Sequence, residues 1–274
     1  MMAICNRARA ACLCAAVLVL LIPNGGPVEA QVVPLSHGMD LDRVVRAFVL
    51  AERLEIQPGV SERPVNVEVL SWIGGDYRRL FLRAQGEQST LGVGGGELKV
   101  DALFGRLISP FWSVVAGARV DTRLRTTRSP LMQGDAQPPQ FAAPGRLTRG
   151  LLAVGLIGLA PGWFELEPTL LVSNAGDVSL ELETSFDLLL TQRLIIQPRV
   201  EMNAAVQEVP EIGVRSGLND VEVGARMRYE IRRKFAPYVG VSLLRRTGAA
   251  ATAARNQGAR QSVGTITAGL RVWR

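Results

Sequence analysis

The sequence predicts an all-β protein, a closed antiparallel transmembrane β-barrel of the outer-membrane type with about 12 strands. Three observations predict it. The chain opens with an export signal, its remainder alternates apolar and polar residues in runs of roughly ten, and no stretch after the signal approaches the roughly 18 unbroken apolar residues of a spanning helix. A strand that is apolar on one face and charged on the other, repeated along the chain, has two places to put these faces. Lipid takes the first and a packed lumen takes the second.

The elements follow in order. Arg7 and Arg9 make a basic start, Cys12 to Ile22 is apolar, and Val28-Glu29-Ala30 places small residues at the −3 and −1 positions of a cleavage site. Residues 1–30 are therefore expected to be a signal peptide cleaved near Ala30-Gln31, 31–45 a short N-terminal periplasmic segment, and 46–274 the barrel in the outer membrane. All three cysteines, Cys5, Cys12 and Cys14, fall within the signal, which removes disulfides, thiolate metal sites and cysteine nucleophiles from the mature chain. The formal charge of +6 becomes +5 once Arg7, Arg9 and Glu29 leave, and the excess is Arg spread along the sequence without a basic block. Such a chain faces the anionic envelope, and no nucleic-acid partner is expected.

Alternation is clearest in Asp177 to Leu188, where Val178, Leu180, Leu182, Thr184, Phe186 and Leu188 fall opposite Ser179, Glu181, Glu183, Ser185 and Asp187. It recurs from Asp220 to Ile231, whose polar face of Asp220, Glu222, Gly224, Arg226, Arg228 and Glu230 is charged at all but one position. Similar runs occupy Ala47 to Gln57, Pro64 to Gly74, Tyr77 to Glu87, Glu97 to Ile108, Phe111 to Arg123, Leu147 to Leu159, Trp163 to Ser173, Arg193 to Ala204, Ala236 to Arg246 and Gly264 to Trp273. With the first two these make twelve, an even number that lets an antiparallel sheet close with both ends on one side. Closure matters because an open edge in lipid leaves backbone groups unpaired at several kcal/mol each. Aromatics near run ends, Trp72, Tyr77, Phe111, Trp112, Trp163, Phe164, Phe235, Tyr238 and Trp273, suit interfacial girdles. Gly92 to Gly96 reads as a hairpin turn, and Ser129 to Gly145 and Arg246 to Ser262 read as long loops. A soluble exported β-sandwich also alternates, but its polar faces are not so dense in Arg and Glu.

The mature chain has a single histidine, His37, placed before the first strand, so a Ser-His hydrolase built into the wall is not expected and the protein is not expected to be an enzyme. Glu165 with Glu167 and Glu181 with Glu183 each share a strand face; ion pairing to Arg199, Arg226 or Arg228 in the lumen is the favoured role for them. His37 and Met39 offer one imidazole and one thioether on the N-terminal segment, ligand types that suit copper. They are too few for a site by themselves.

Several longer stretches carry a resemblance. Arg46-Ala47-Phe48-Val49-Leu50-Ala51-Glu52-Arg53-Leu54-Glu55 followed by Trp72-Ile73-Gly74-Gly75-Asp76-Tyr77-Arg78-Arg79-Leu80 resembles the opening strands of the copper resistance protein B family. The likeness continues through Ser109-Pro110-Phe111-Trp112, Gly158-Leu159-Ala160-Pro161-Gly162-Trp163-Phe164-Glu165-Leu166-Glu167, Asp187 to Arg199, Ser216 to Glu222 and Tyr229 to Val241. It implies an outer-membrane barrel contributing to copper resistance and homeostasis by binding copper ions or passing them across the outer membrane. Copper would be bound or transported and not catalytic, with outer-membrane lipid and a periplasmic multicopper oxidase as partners.

The chain departs from the family in two places. Many members carry a Met- and His-rich segment between signal and barrel, whereas here only His37 and Met39 stand there; and the final aromatic, Trp273, is followed by Arg274. If copper meets the barrel itself, the candidate ligands are the inner-face carboxylates Glu165, Glu167, Glu181, Glu183, Asp187, Glu201, Asp220 and Glu222, hard oxygens that favour Cu(II), while Met39 favours Cu(I). The competing readings are a general passive pore for small solutes and a plugged structural barrel.

Overall fold

The computed structural model describes residues 44–58, 64–89, 95–125, 145–232, 234–256 and 258–274. The expected signal peptide, most of the periplasmic segment with His37 and Met39, and most of the Ser129 to Gly145 loop lie outside them. The strands are β1 (Arg46–Ile56), β2 (Pro64–Gly74), β3 (Arg78–Ser89), β4 (Gly96–Ser109), β5 (Trp112–Arg125), β6 (Gly145–Ala160), β7 (Phe164–Ser173), β8 (Val178–Ser185), β9 (Leu188–Leu189), β10 (Leu194–Ala205), β11 (Gly217–Tyr229), β12 (Phe235–Arg246) and β13 (Ser262–Trp273). All pairings are antiparallel between sequence neighbours, except that β8 and β9 both pair β10 and that β1 pairs β13. The sheet is thereby closed. Since β8 and β9 together form one course of the wall, the barrel has the twelve staves expected.

Each of the twelve alternating runs becomes a strand, with the Asp177 to Leu188 run interrupted at Phe186 and Asp187. One expectation is corrected: the Arg246 to Ser262 segment is not wholly a loop, because Gly248–Asn256 forms an α-helix, α1. Its sequence, Gly248-Ala249-Ala250-Ala251-Thr252-Ala253-Ala254-Arg255-Asn256, is rich in alanine, the best helix former, and Arg255 in its last turn complements the helix dipole. Among the described residues no helix is long and apolar enough to cross a membrane.

Short turns join β2–β3, β4–β5 and β6–β7 at one end, where the chain also enters β1 and leaves β13; the longer connections lie at the other end. The outward faces carry exposed apolar side chains all round: Leu82, Val100, Val120, Leu152, Leu170, Leu180, Val223, Met227, Val241 and Ile266 among them. Soluble proteins rarely expose a continuous apolar wall of this extent. Exposed aromatics gather at the short-turn end, with Tyr77, Phe111, Trp163, Phe164 and Tyr229. Trp163 is held in the left-handed region (φ 67°) by the β6–β7 turn, after Gly162 at φ 89°.

Three expected girdle residues are corrected, Trp273 among them, since it shares the strand face of the buried Thr267 and has the Arg271 guanidinium 6.0 Å from its ring centre. Trp72 shares the face of Glu68 and stacks on Phe48 at 6.1 Å with the Arg79 guanidinium 4.5 Å from its ring centre, and Tyr238 is buried, donating to Glu55 at 3.0 Å. Alternation decides this: all three lie an even number of residues from lumen-facing polar partners. Inside the barrel Leu103, Val115, Leu151, Ala153 and Leu171 form a buried apolar cluster with Phe81 and Ile157 against it. Gly117 lies beside this cluster, where a Cβ would collide with the β4 backbone, so the residue allows two strands to approach closely.

Candidate functional site: a carboxylate wall facing arginines

The strand register gathers the predicted carboxylates. Glu167 on β7 is opposite Glu183 on β8, Glu183 opposite Glu201 on β10, and Glu201 opposite Glu222 on β11. Four glutamates from four adjacent staves therefore stand in one transverse row. Directly opposed positions of antiparallel strands place Cβ atoms about 4.5–5.5 Å apart, and like charges there repel. The next row toward the longer connections holds Glu181, Asn203 and Asp220. Glu165 and Ser185 form the row on the other side.

Such a row stands only if cations reach it, and they come both from its own wall and from across the bore. Arg199 Nη2 lies 2.7 Å from Glu183 and its Nε lies 2.7 Å from Glu201. Arg53 of β1 bridges Glu201 at 2.7 Å and Glu68 at 2.8 Å. Arg83 of β3 binds Glu167. In the neighbouring row, Glu181 receives Arg119 Nη1 at 2.5 Å and Lys99 Nζ at 3.5 Å, while Arg119 also grips the fully buried Asp101. The bridges from Arg53, Arg83, Lys99 and Arg119 run from β1, β3, β4 and β5 to Glu201, Glu167 and Glu181 on β10, β7 and β8 and so span the lumen, whereas those of Arg199 to Glu183 and Glu201 stay within the wall formed by β8 and β10. Glu222 is the one member of the row with no Lys or Arg within ion-pair distance among the described residues.

The remaining predicted residues are placed as follows. Asp187 pairs with Arg228, Glu165 accepts from Ser185 at 3.0 Å, and Asp220 accepts from Asn203 at 2.7 Å. Of the partners expected from sequence for Glu165, Glu167, Glu181 and Glu183, only Arg199 meets one of them, Glu183; Arg228 instead pairs with Asp187, and Arg226 reaches Glu55 at 2.9 Å. Glu55, Glu68 and Asp101, with Arg53, Arg83 and Arg119, were not singled out from the sequence. Their signal was present, since Asn66, Glu68 and Lys99, Asp101 fall on the polar side of alternating runs, but which acids would share a row depends on register.

Toward the longer connections the bore widens into a cavity of about 240 Å³. Its lining includes six carboxylates, Glu55, Glu68, Glu87, Glu97, Glu201 and Glu222, against four cations, Arg53, Lys99, Arg199 and Arg226. The lining thus carries two more carboxylates than cations inside a chain of net charge +6, which favours a cation over an anion there. Among the described residues no group of three or more His, Cys, Asp or Glu side chains converges on a single metal position. Glu167, Glu183 and Glu201 of the row are instead paired with arginine.

A family model described as copper resistance protein B precursor matches residues 45–137 and 139–274, which takes in every strand of the barrel. The chain belongs to the copper resistance protein B family. It is 37% identical over 232 residues to copper resistance protein B of Escherichia coli, covering 85% of this chain and 71% of that protein. A copper resistance protein B homolog of Pseudomonas syringae pv. tomato is 35% identical over the same length, with the same shares covered. The carboxylate wall and the arginines facing it all lie within the matched segments, so the ionic lumen belongs to the part of the chain that the family model describes.

Proposed function

We propose that the protein is an outer-membrane barrel that contributes to copper resistance by holding copper ions against the carboxylate wall of its lumen. Membership in the copper resistance protein B family supports the role in copper resistance. The export signal read from the sequence, the continuous apolar exterior and the aromatics at the short-turn end support the location. The single observation that carries the binding reading is the transverse row of Glu167, Glu183, Glu201 and Glu222. Glu222 and Glu201, adjacent in that row and both lining the cavity, supply oxygens to an ion entering from the wide end without breaking more than the bridges to Glu201. Copper is here the cargo, bound as a divalent ion by hard oxygens. The protein acts without catalysis in this reading.

The bridges across the bore favour binding over free passage. An ion crossing the waist has to displace Arg53, Arg83 and Arg199 from their carboxylates, so a permanently open pore is disfavoured. Calorimetric titration of the refolded barrel with Cu(II) tests the proposal: saturable heat is expected, weakened at least tenfold in Glu222→Gln with Glu201→Gln. No heat above buffer from a folded barrel defeats it and leaves the plugged structural barrel as the better account.

A further inference from the structure

Two arginines on the outside of the barrel have no place in the lumen chemistry. Arg78 of β3 and Arg106 of β4 are directly opposite one another in register. Alternation puts both on the outward face. Arg78 shares its side with the exposed Leu80 and Leu82, and Arg106 stands between Phe104 and Ile108, which are 54% and 61% exposed. Both arginines are exposed, and among the described residues neither has a carboxylate within ion-pair distance. The exposed aromatics Tyr77 and Phe111 lie in the two turns just beyond them.

This arrangement is costly unless something anionic sits on it. Like charges directly opposed across two strands destabilise a sheet, and an arginine set within an outward apolar stripe loses hydration to the bilayer boundary, at a cost that vanishes only near the interface. Two guanidinium groups side by side are suited to one tetrahedral anion, because each presents a planar fork of donors that matches phosphate oxygens. The aromatics beside them mark the depth as that of lipid headgroups. The cations point outward, away from the lumen, so a solute carried inside the barrel does not meet them.

We propose that Arg78 and Arg106 form a clamp for the phosphodiester of a phospholipid headgroup in the leaflet at the short-turn end of the barrel. The proposal rests on the outer-membrane reading above. The phosphate oxygens bridge the two guanidinium groups and cancel their repulsion, while the acyl chains lie along Leu80, Leu82 and Phe104.

Native mass spectrometry of the full barrel released gently from bilayers containing phosphatidylglycerol and phosphatidylethanolamine reads the retained lipid. The wild type is expected to keep one phospholipid more than Arg78→Gln/Arg106→Gln, with the double lysine variant Arg78→Lys/Arg106→Lys between them. Arg146→Gln/Arg245→Gln, altered at the opposite end, is expected to match the wild type. Inorganic phosphate at millimolar concentration should not displace the lipid; displacement would show that the pair is a site for free phosphate and overturn the lipid assignment. Equal lipid retention by wild type and the double glutamine variant, both inserted, overturns the clamp. Failure of the wild type to float with vesicles in a density gradient defeats the membrane reading itself, which separates the two.

Discussion

Replacing Arg199 with Gln removes the cation at the centre of the lumen. Its side chain is only 6% exposed and bridges Glu183 and Glu201 at 2.7 Å each, with Glu68 a further 3.8 Å away. Breaking a buried pair by removing one partner costs about 3–5 kcal/mol, because charge is left without compensation. Here two opposed glutamates lose their shared bridge, though Arg53 still holds Glu201. The same substitution removes a positive charge from the place where a divalent ion would sit. A unit charge pair about 4 Å apart contributes about 4 kcal/mol at an effective dielectric near 20, so a gain of at least tenfold in Cu(II) affinity, about 1.4 kcal/mol, is a conservative expectation. The two effects have opposite signs, and denaturant unfolding followed by tryptophan fluorescence with and without Cu(II) separates them. Arg199→Gln should unfold at lower denaturant than the wild type without copper and recover most of the difference when copper saturates it, through the linkage of binding to folding. A folded Arg199→Gln barrel that binds copper no more tightly than the wild type would refute the idea that arginine and copper compete for these oxygens.

Three further outcomes are expected. Arg119→Met, which strands the buried Asp101 and frees Glu181, should destabilise the barrel by about 3–5 kcal/mol, and the added change Asp101→Asn should return part of that loss in a double-mutant cycle. Leu171→Ala, in the apolar cluster of the lumen, should cost about 2–5 kcal/mol in the same unfolding assay, with copper binding retained because no carboxylate is touched. In planar bilayers the wild type should show no steady ohmic conductance at neutral pH, whereas Arg83→Ala with Glu167→Ala, which deletes one bridge across the bore, should show intermittent openings; large steady steps from the wild type would instead favour a passive pore.

Much of the fold was legible because a barrel strand states its two faces residue by residue. Val221, Val223 and Met227 against Glu222, Arg226 and Arg228 declare an outside and an inside without reference to any neighbour. The helix Gly248–Asn256 was missed because a stretch of alanines and a glycine reads as a small-residue loop until its length and alanine content are weighed as propensity. Trp72 and Tyr238 lie near run ends, as girdle residues do, but their parity with Glu68 and Ser242 places them inside. The candidate carboxylates were correctly assigned to inner faces, but that Glu167, Glu183, Glu201 and Glu222 form one row is a matter of register between strands, which is set by turns and the slant of the whole sheet. The identity of each arginine partner is further removed still, since Arg53 and Glu201 are brought together only when the cylinder is complete.

The seam between β1 and β13 has a kinetic meaning. Every other neighbouring pair of staves is consecutive in the chain and can zip locally, whereas Leu50 has to find Trp273 and Val49 has to exchange backbone hydrogen bonds with Arg274. Closing a loop of that length costs on the order of 3 kcal/mol more entropy than closing a ten-residue hairpin, and contacts so distant in sequence form late. Until they form, the protein is an open, curling ribbon with two bare edges, each a template for pairing with another chain. The bridges from Arg53 on the first stave to Glu68, and then across to Glu201, offer that ribbon an electrostatic latch: the arginine is already docked on its neighbour before the far wall arrives. Because the pair of Arg53 with Glu201 forms only as the far wall arrives, its removal should slow the appearance of the sealed barrel in a refolding time course.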